Sequence, residues 1–278
     1  MLKTRVITAT FLFAAFFSAL FYLAPVGWVM FSTLIAAIAA WEWGALMGLK
    51  SAFRIALGVI VVLICAIVGV LDPAALGIEA GRPGAAWILG RWFYIPSAIF
   101  WIFLVPVWMS RRWPLPKSVP GLLVGALLIL PTWLALVQLR QTGALGLLAI
   151  MAVVWLADIA AYFFGRTFGK HKLAPSISPG KTWEGAIGGG VAVLVYGFML
   201  SPKLPDGLSS NSGLLFVVLV LLVAISVVGD LFESLLKRQA GLKDSSNVLP
   251  GHGGVLDRID SLTSTLPLVA LVWLSTAP

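Results

Sequence analysis

The chain has 278 residues, of which 60% are hydrophobic and only 11% charged, with a formal net charge of +8 and a mean hydropathy of +1.02. A water-soluble globule carries about 25% charged residues, so this composition excludes one and describes a polytopic membrane protein. A single cysteine, Cys65, excludes an intramolecular disulfide, and two histidines, His171 and His252, argue against a conventional zinc cluster.

Crossing the hydrocarbon core takes about 20 apolar residues. Nine stretches qualify: 6–24, 27–47, 55–71, 93–109, 120–139, 143–164, 185–201, 213–236 and 261–276. The predicted fold is therefore all-α, with about nine transmembrane helices. The first stretch follows Lys3 and Arg5 in the manner of a signal peptide, but its apolar run is longer than an h-region, and it reads as a retained helix. With the N-terminus in the cytoplasm, 15 of the 19 Lys and Arg residues fall on the inner side, leaving Arg82, Arg91, Arg140 and Lys203 outside. That asymmetry predicts an N-in, C-out protein of the inner (cytoplasmic) membrane. Its basic face would meet nucleotides and anionic lipid headgroups.

Residues 1–140 read as scaffold. Trp41 and Trp43 fit an aromatic belt at the inner interface, and Glu42 between them reads as a carboxylate reaching headgroup water. The turn SRRWPLPKSVP, with Arg111, Arg112 and Lys117 among three prolines, reads as a topological anchor.

Residues 141–278 read as the catalytic region, with cytoplasmic loops at 165–185 and 237–260. Asp158 lies among apolar neighbours, with Tyr162 and Arg166 on the same helical face. A carboxylate at the centre of a membrane helix costs roughly 2.5–3.5 kcal/mol, so Asp158, Asp230 and Glu233 demand partner cations, water or a bound metal. In the first loop, Ser178 followed by Pro179 predicts an N-cap with proline at the first helical position. Lys181 and Thr182 would then lie in a first turn that aims free amides at a phosphate. Lys181 also has a plainer reading as a positive-inside anchor. The run Gly180, Lys181, Thr182 is not a P-loop, because Pro175 stands where that pattern needs glycine. Gly188–Gly190 suits close helix packing.

The densest chemistry lies in Val228–Ser261. As helix, Asp230, Glu233, Ser234 and Lys237 share one face, and Asp257, Asp260, Ser261 and Ser264 repeat the spacing beyond a loop. That loop carries Pro250, Gly251, Gly253 and Gly254 around His252, a composition suited to backbone approaching a ligand. Two carboxylate-bearing helix ends flanking a glycine turn predict a metal-assisted phosphate site.

The run Ser234, Leu236, Lys237, Arg238, Lys243, Asp244, Pro250, His252, Gly253, Gly254, Asp257, Arg258, Ile259, Asp260 resembles the signature of the phosphatidate cytidylyltransferases, or CDP-diacylglycerol synthases. The stretches ADIAAYFFGRTFGKHKLAP and SPGKTWEG are similar to upstream motifs of the same family, so the resemblance covers about residues 155–264. It implies transfer of a cytidylyl group from CTP to phosphatidic acid, with magnesium as the divalent cation and Asp230 and Asp257 as its ligands. A second cation and a homodimer are allowed for; nucleic acid is not a partner. The chemistry of the residues agrees with this. Magnesium takes one or two carboxylates plus substrate phosphates. Lys181, Lys237, Arg238, Lys243 and Arg258 are assigned to phosphate, with Lys237 and Arg238 beside the reacting groups. Asp244, His252 and Asp260 would order the loop or the surroundings of the metal, and Ser178, Thr182, Gly253 and Gly254 complete the substrate-binding set. The alternatives are a cytidylyltransferase acting on another lipid phosphate, a cation- or proton-coupled transporter relaying through Asp158, Asp230 and Glu233, and a non-catalytic scaffold.

Overall fold

The computed structural model describes residues 2–79 and 87–276; Arg82 and the side chain of Lys3 lie outside that description. Among the described residues nine helices are long and apolar enough to cross a membrane. They are α1 (Leu2–Tyr22), α2 (Pro25–Leu46), α3 (Ser51–Leu71), α4 (Ile88–Arg111), α5 (Val119–Leu139), α6 (Ala144–Phe168), α7 (Trp183–Leu200), α8 (Ser212–Gln239) and α9 (Leu256–Thr276).

Helix ends follow local chemistry. Pro25 opens α2 and Pro120 lies in the first turn of α5, positions where the missing N–H goes unused. Asn211 caps α8 by accepting from the Leu214 amide at 2.9 Å. The far end of α8 stops at Gly241, whose φ of +70° suits glycine. There the Leu242 amide returns to the Lys237 carbonyl at 2.8 Å. In α4, Pro106 has no N–H to offer the preceding turn, and the backbone widens into a π-turn over Phe100–Leu104.

α5 is the central helix, with most of its residues buried. Indole N–H groups tie α2 to it: Trp28 Nε1 donates to the Leu136 carbonyl at 3.1 Å and Trp43 Nε1 to the Gly121 carbonyl at 2.9 Å. Trp43 is thus a packing residue, 2% exposed, and not a member of an interfacial belt. Trp41 does sit at the surface end, with the Arg54 guanidinium 3.9 Å from its ring centroid. α6 and α7 pair along their length. Gly188 packs under Phe164 and Gly189 under the Ala157 carbonyl, the close-packing role read for the glycine run.

The all-α expectation has one local exception. Lys172–Ala174 (β1) and Ser178–Thr182 (β2) form an antiparallel hairpin, pairing Lys172 with Thr182 and Ala174 with Ser178. Ser178 is therefore a strand residue and no helix N-cap, and Lys181 lies on β2, outside any helical turn. The cap of α7 is Thr182, whose hydroxyl accepts from the Gly185 amide at 3.1 Å. Strand pairing has satisfied the backbone that a Ser-Pro helix start would have left open.

The two ends of the bundle differ. At one, the Lys117 ammonium lies against Gly48, Arg5 packs over Gly251, and Arg112 donates to Ser176 Oγ at 2.9 Å. Gln239 Nε2 there donates to the carbonyls of Arg112 and Trp113. At the other, Arg140 Nε donates to the Leu20 carbonyl at 2.8 Å, and Trp87 Nε1 to Gln141 Oε1 at 3.0 Å. The basic loops predicted to share one face do share one.

Candidate active site

α8 runs for 28 residues, so Asp230 lies about 27 Å from its start, near the full thickness of a hydrocarbon core. Its polar last turns therefore emerge at headgroup depth, on the end that carries the hairpin and the glycine loop. The face predicted for α8 is present: Ser234 Oγ donates to Asp230 Oδ1 at 3.3 Å, and Lys237 Nζ to Glu233 Oε2 at 3.3 Å.

Lys237 also reaches across to α9, meeting Asp257 Oδ1 at 2.6 Å. Lys181 arrives from β2 and pairs with Asp230 Oδ2 at 2.5 Å. Asp158 on α6 is in electrostatic range of both Lys181 and Asp230. Asp260 and Glu233 line one small cavity, and Asp260 lies in electrostatic range of Asp230. Four segments, α6, the hairpin, α8 and α9, thus deliver Asp158, Asp230, Glu233, Asp257 and Asp260 to one region, against the ammonium groups of Lys181 and Lys237. Each ion pair offsets part of the cost of holding charge at this depth.

Asp257 has a second task. Its Oδ2 accepts from the Gly254 amide at 2.7 Å, the Ser245 amide at 2.8 Å and Ser245 Oγ at 2.8 Å. The glycines have structural reasons. Gly253 has a φ of +81°, and Gly254 has no room for a Cβ, which would meet Ser245 Oγ and Glu42 Oε1. The His252 amide donates to the Leu249 carbonyl at 2.8 Å, while its buried Nδ1 has no hydrogen-bond partner. Asp244 lies beside Gly253. Arg238, Lys243 and Arg258 are exposed and, among the described residues, make no ion pair with a carboxylate, which leaves three bases free around the loop.

The sequence reading missed two residues. Glu42, read as reaching headgroup water, is fully buried and receives hydrogen bonds from Ser245, Ser246, Val255 and Leu256. Glu184 accepts from His171 Nδ1 at 2.7 Å and from the His171 amide, fixing the start of the hairpin that carries Lys181. Only the glutamate itself marked either site: the partners of Glu42 lie more than 200 residues away and leave no periodicity, and Glu184 meets His171 across a hairpin that was not read from the sequence.

Phosphate chemistry suits this arrangement: free bases at the mouth, carboxylates within, and a loop whose amides are already ordered. The profile of the Cytidylyltransferase family matches residues 3–276. The chain belongs to the cytidylyltransferase family. It is 41% identical to the phosphatidate cytidylyltransferase of Pseudomonas aeruginosa, over 98% of this chain and 97% of that protein. It is 36% identical to the one from Haemophilus influenzae, over 96% of each chain. It is 38% identical to the one from Brucella suis, over 97% of this chain and 92% of that protein. The family match thus extends through α1–α5 as well as the signature region of this cytidylyltransferase-family member.

A cavity of about 340 Å³ lies elsewhere, lined by Trp28, Gly77, Arg140 and Gln141. It sits by the start of α2, about 25 Å along the helix from Glu42, and takes no part in the carboxylate cluster.

Proposed function

We propose that the chain transfers a cytidylyl group from CTP to phosphatidic acid, releasing pyrophosphate and leaving CDP-diacylglycerol, at the cluster joining α6, the hairpin, α8 and α9. The observation that carries this reading is end-to-end similarity to phosphatidate cytidylyltransferases, joined to a site in which carboxylates and bases converge without an activated Ser, Cys or His nucleophile.

No such nucleophile is needed, because the lipid phosphate is itself an anion. One of its oxygens forms the new bond to the α-phosphorus of CTP. The bond from that phosphorus to the β-bridging oxygen breaks, and its electron pair leaves with pyrophosphate. The task of the protein is positioning and charge neutralisation. Arg238, Lys243 and Arg258 hold phosphate oxygens at the mouth. Lys181 and Lys237, now paired with Asp230 and Asp257, supply positive charge next to the reacting phosphates.

The donor set fits a hard divalent cation. Five carboxylates face two ammonium groups, and the buried Glu233 Oε1 has no hydrogen-bond partner. No three Asp, Glu, His or Cys side chains among the described residues converge on one point; magnesium would need only one or two carboxylates, completing its shell with waters and substrate phosphates. Asp230 would hold it, and Asp257 would join through Oδ1, the oxygen now facing Lys237. When bound, the ion would neutralise charge on the phosphate oxygens.

The charge asymmetry of the loops supports an N-in arrangement in the inner membrane with this site facing the cytoplasm, where CTP is available. The test is a single assay: purified protein, phosphatidic acid in mixed micelles and labelled CTP, with and without magnesium. Labelled CDP-diacylglycerol is expected only with the ion, and Asp230→Ala is expected to abolish it while the protein remains folded and membrane-inserted. Near-normal turnover in Asp230→Ala would remove the assignment of that carboxylate.

A further inference from the structure

Glu42 on α2 is 0% exposed, and its partners lie 203 to 214 residues further along the chain. Each carboxylate oxygen receives one main-chain N–H: Oε1 from Val255 at 2.9 Å and Oε2 from Leu256 at 2.6 Å. Ser246 Oγ adds a bond to Oε1 at 2.5 Å, and Ser245 Oγ lies 3.2 Å from Oε2. The preceding amide, that of Gly254, goes to Asp257 Oδ2 at 2.7 Å. Three consecutive amides at the start of α9 are thus divided between two carboxylates. Ser245 stands between them, its hydroxyl 2.8 Å from Asp257 Oδ2.

We propose that Glu42 is a positioning residue for cytidylyl transfer: it fixes the 245–256 segment and through it the orientation of Asp257. The assignment rests on the reading of the reaction given above. The geometry requires a carboxylate in particular. A glutamine would present one acceptor oxygen and one NH₂, so whichever way the amide turns its NH₂ meets a main-chain N–H. The half-buried Val255 N–H and the buried Leu256 N–H then cannot both be satisfied by Glu42's replacement. The amide strain would fall on the residues directly before Asp257, and a misplacement of about 1 Å in a positioned group can cost on the order of 100-fold in rate.

The experiment uses the full chain in detergent, as wild type, Glu42→Gln and Ser246→Ala. Two readouts are taken from the same preparations: steady-state kinetics with CTP and phosphatidic acid, and amide hydrogen exchange by peptide. For Glu42→Gln, faster exchange is expected only in peptides covering 243–258, with α5 and the α6–α7 pair at wild-type rates. kcat is expected to fall about tenfold or more, while both KM values stay within about threefold. A merely structural role would instead raise exchange across the bundle. Ser246→Ala removes one hydroxyl contact to Glu42 and leaves Asp257 untouched; it is expected to give the same local pattern in weaker form, and it carries the test if Glu42→Gln does not accumulate as folded protein. Wild-type kcat in Glu42→Gln, or exchange that rises evenly along the chain, or wild-type behaviour of Ser246→Ala where Glu42→Gln cannot be purified, overturns the proposal. A wild-type chain that makes no CDP-diacylglycerol defeats the reading of the reaction instead, and the exchange data still decide whether Glu42 fixes the segment.

Discussion

At Asp257, one carboxylate meets two demands. Oδ1 faces the Lys237 ammonium, while Oδ2 collects the Gly254 and Ser245 amides and the Ser245 hydroxyl. Its direction is therefore set by the loop before any ligand arrives, which is what a site working by electrostatic preorganisation requires. Gly254 is the tightest point of that loop. A methyl group there would press on both Ser245 Oγ and Glu42 Oε1, and neither can retreat without giving up hydrogen bonds to the 245–256 segment. Overpacking of this kind costs about 1–3 kcal/mol. Gly254→Ala is therefore expected to lower the thermal unfolding midpoint in detergent and to reduce turnover more than the stability loss accounts for. An unchanged midpoint and rate would show that the loop has slack.

Among the elements, the α6–α7 pair and the hairpin between them behave as one unit. α7 offers Gly185, Gly188 and Gly189 to α6, so the two backbones approach closely, and in lipid such contacts are held by van der Waals packing and not by exclusion of water. A Cβ at Gly189 would come within 2.7 Å of the Ala157 carbonyl, one residue before Asp158. Gly189→Leu is expected to cost about 1–3 kcal/mol, seen as a lower unfolding midpoint in detergent. Retention of the wild-type midpoint would mean that the helices are free to separate. The limits of sequence reading show here as well. Nine spans were readable because each must be long and apolar to satisfy its backbone in hydrocarbon. The strand at Ser178–Thr182 was not: a Ser-Pro pair is a local helix signal, and pairing with Lys172–Ala174 outweighs it. The stripe of Asp230, Glu233, Ser234 and Lys237 was readable because its spacing lies within one helix, although Lys181 and Asp257, which meet it, come from other elements. The bonds from Glu42 to the 245–256 segment span too much chain for any pattern to announce them.

For the whole molecule, the grouping of loops at two ends gives the orientation argument its physical content. Lys117 with Gly48, Arg112 with Ser176, Gln239 with Trp113 and Arg5 with Gly251 all meet on the end that holds the carboxylates. Arg140 lies at the other, bonded to Leu20. Placed in the inner membrane as proposed, a protein with this asymmetry is expected to carry its C-terminus outside. A C-terminal alkaline phosphatase fusion should be active, and a fluorescent protein at the same position dark. The reverse result would turn the site away from the supply of CTP.

The dependence on α2 has a bearing on where this chain can be divided. Residues 141–278 contain every motif on which the resemblance was read from the sequence, and a border near residue 140 looks like a seam between a support and a working half. The buried anion that quiets the amides ahead of α9 nevertheless comes from the support side, about a hundred residues before that seam. A piece cut there would keep all the recognisable letters and lose the carboxylate that accepts the Val255 and Leu256 amides, so the minimal working unit is expected to be longer than its most conspicuous motif.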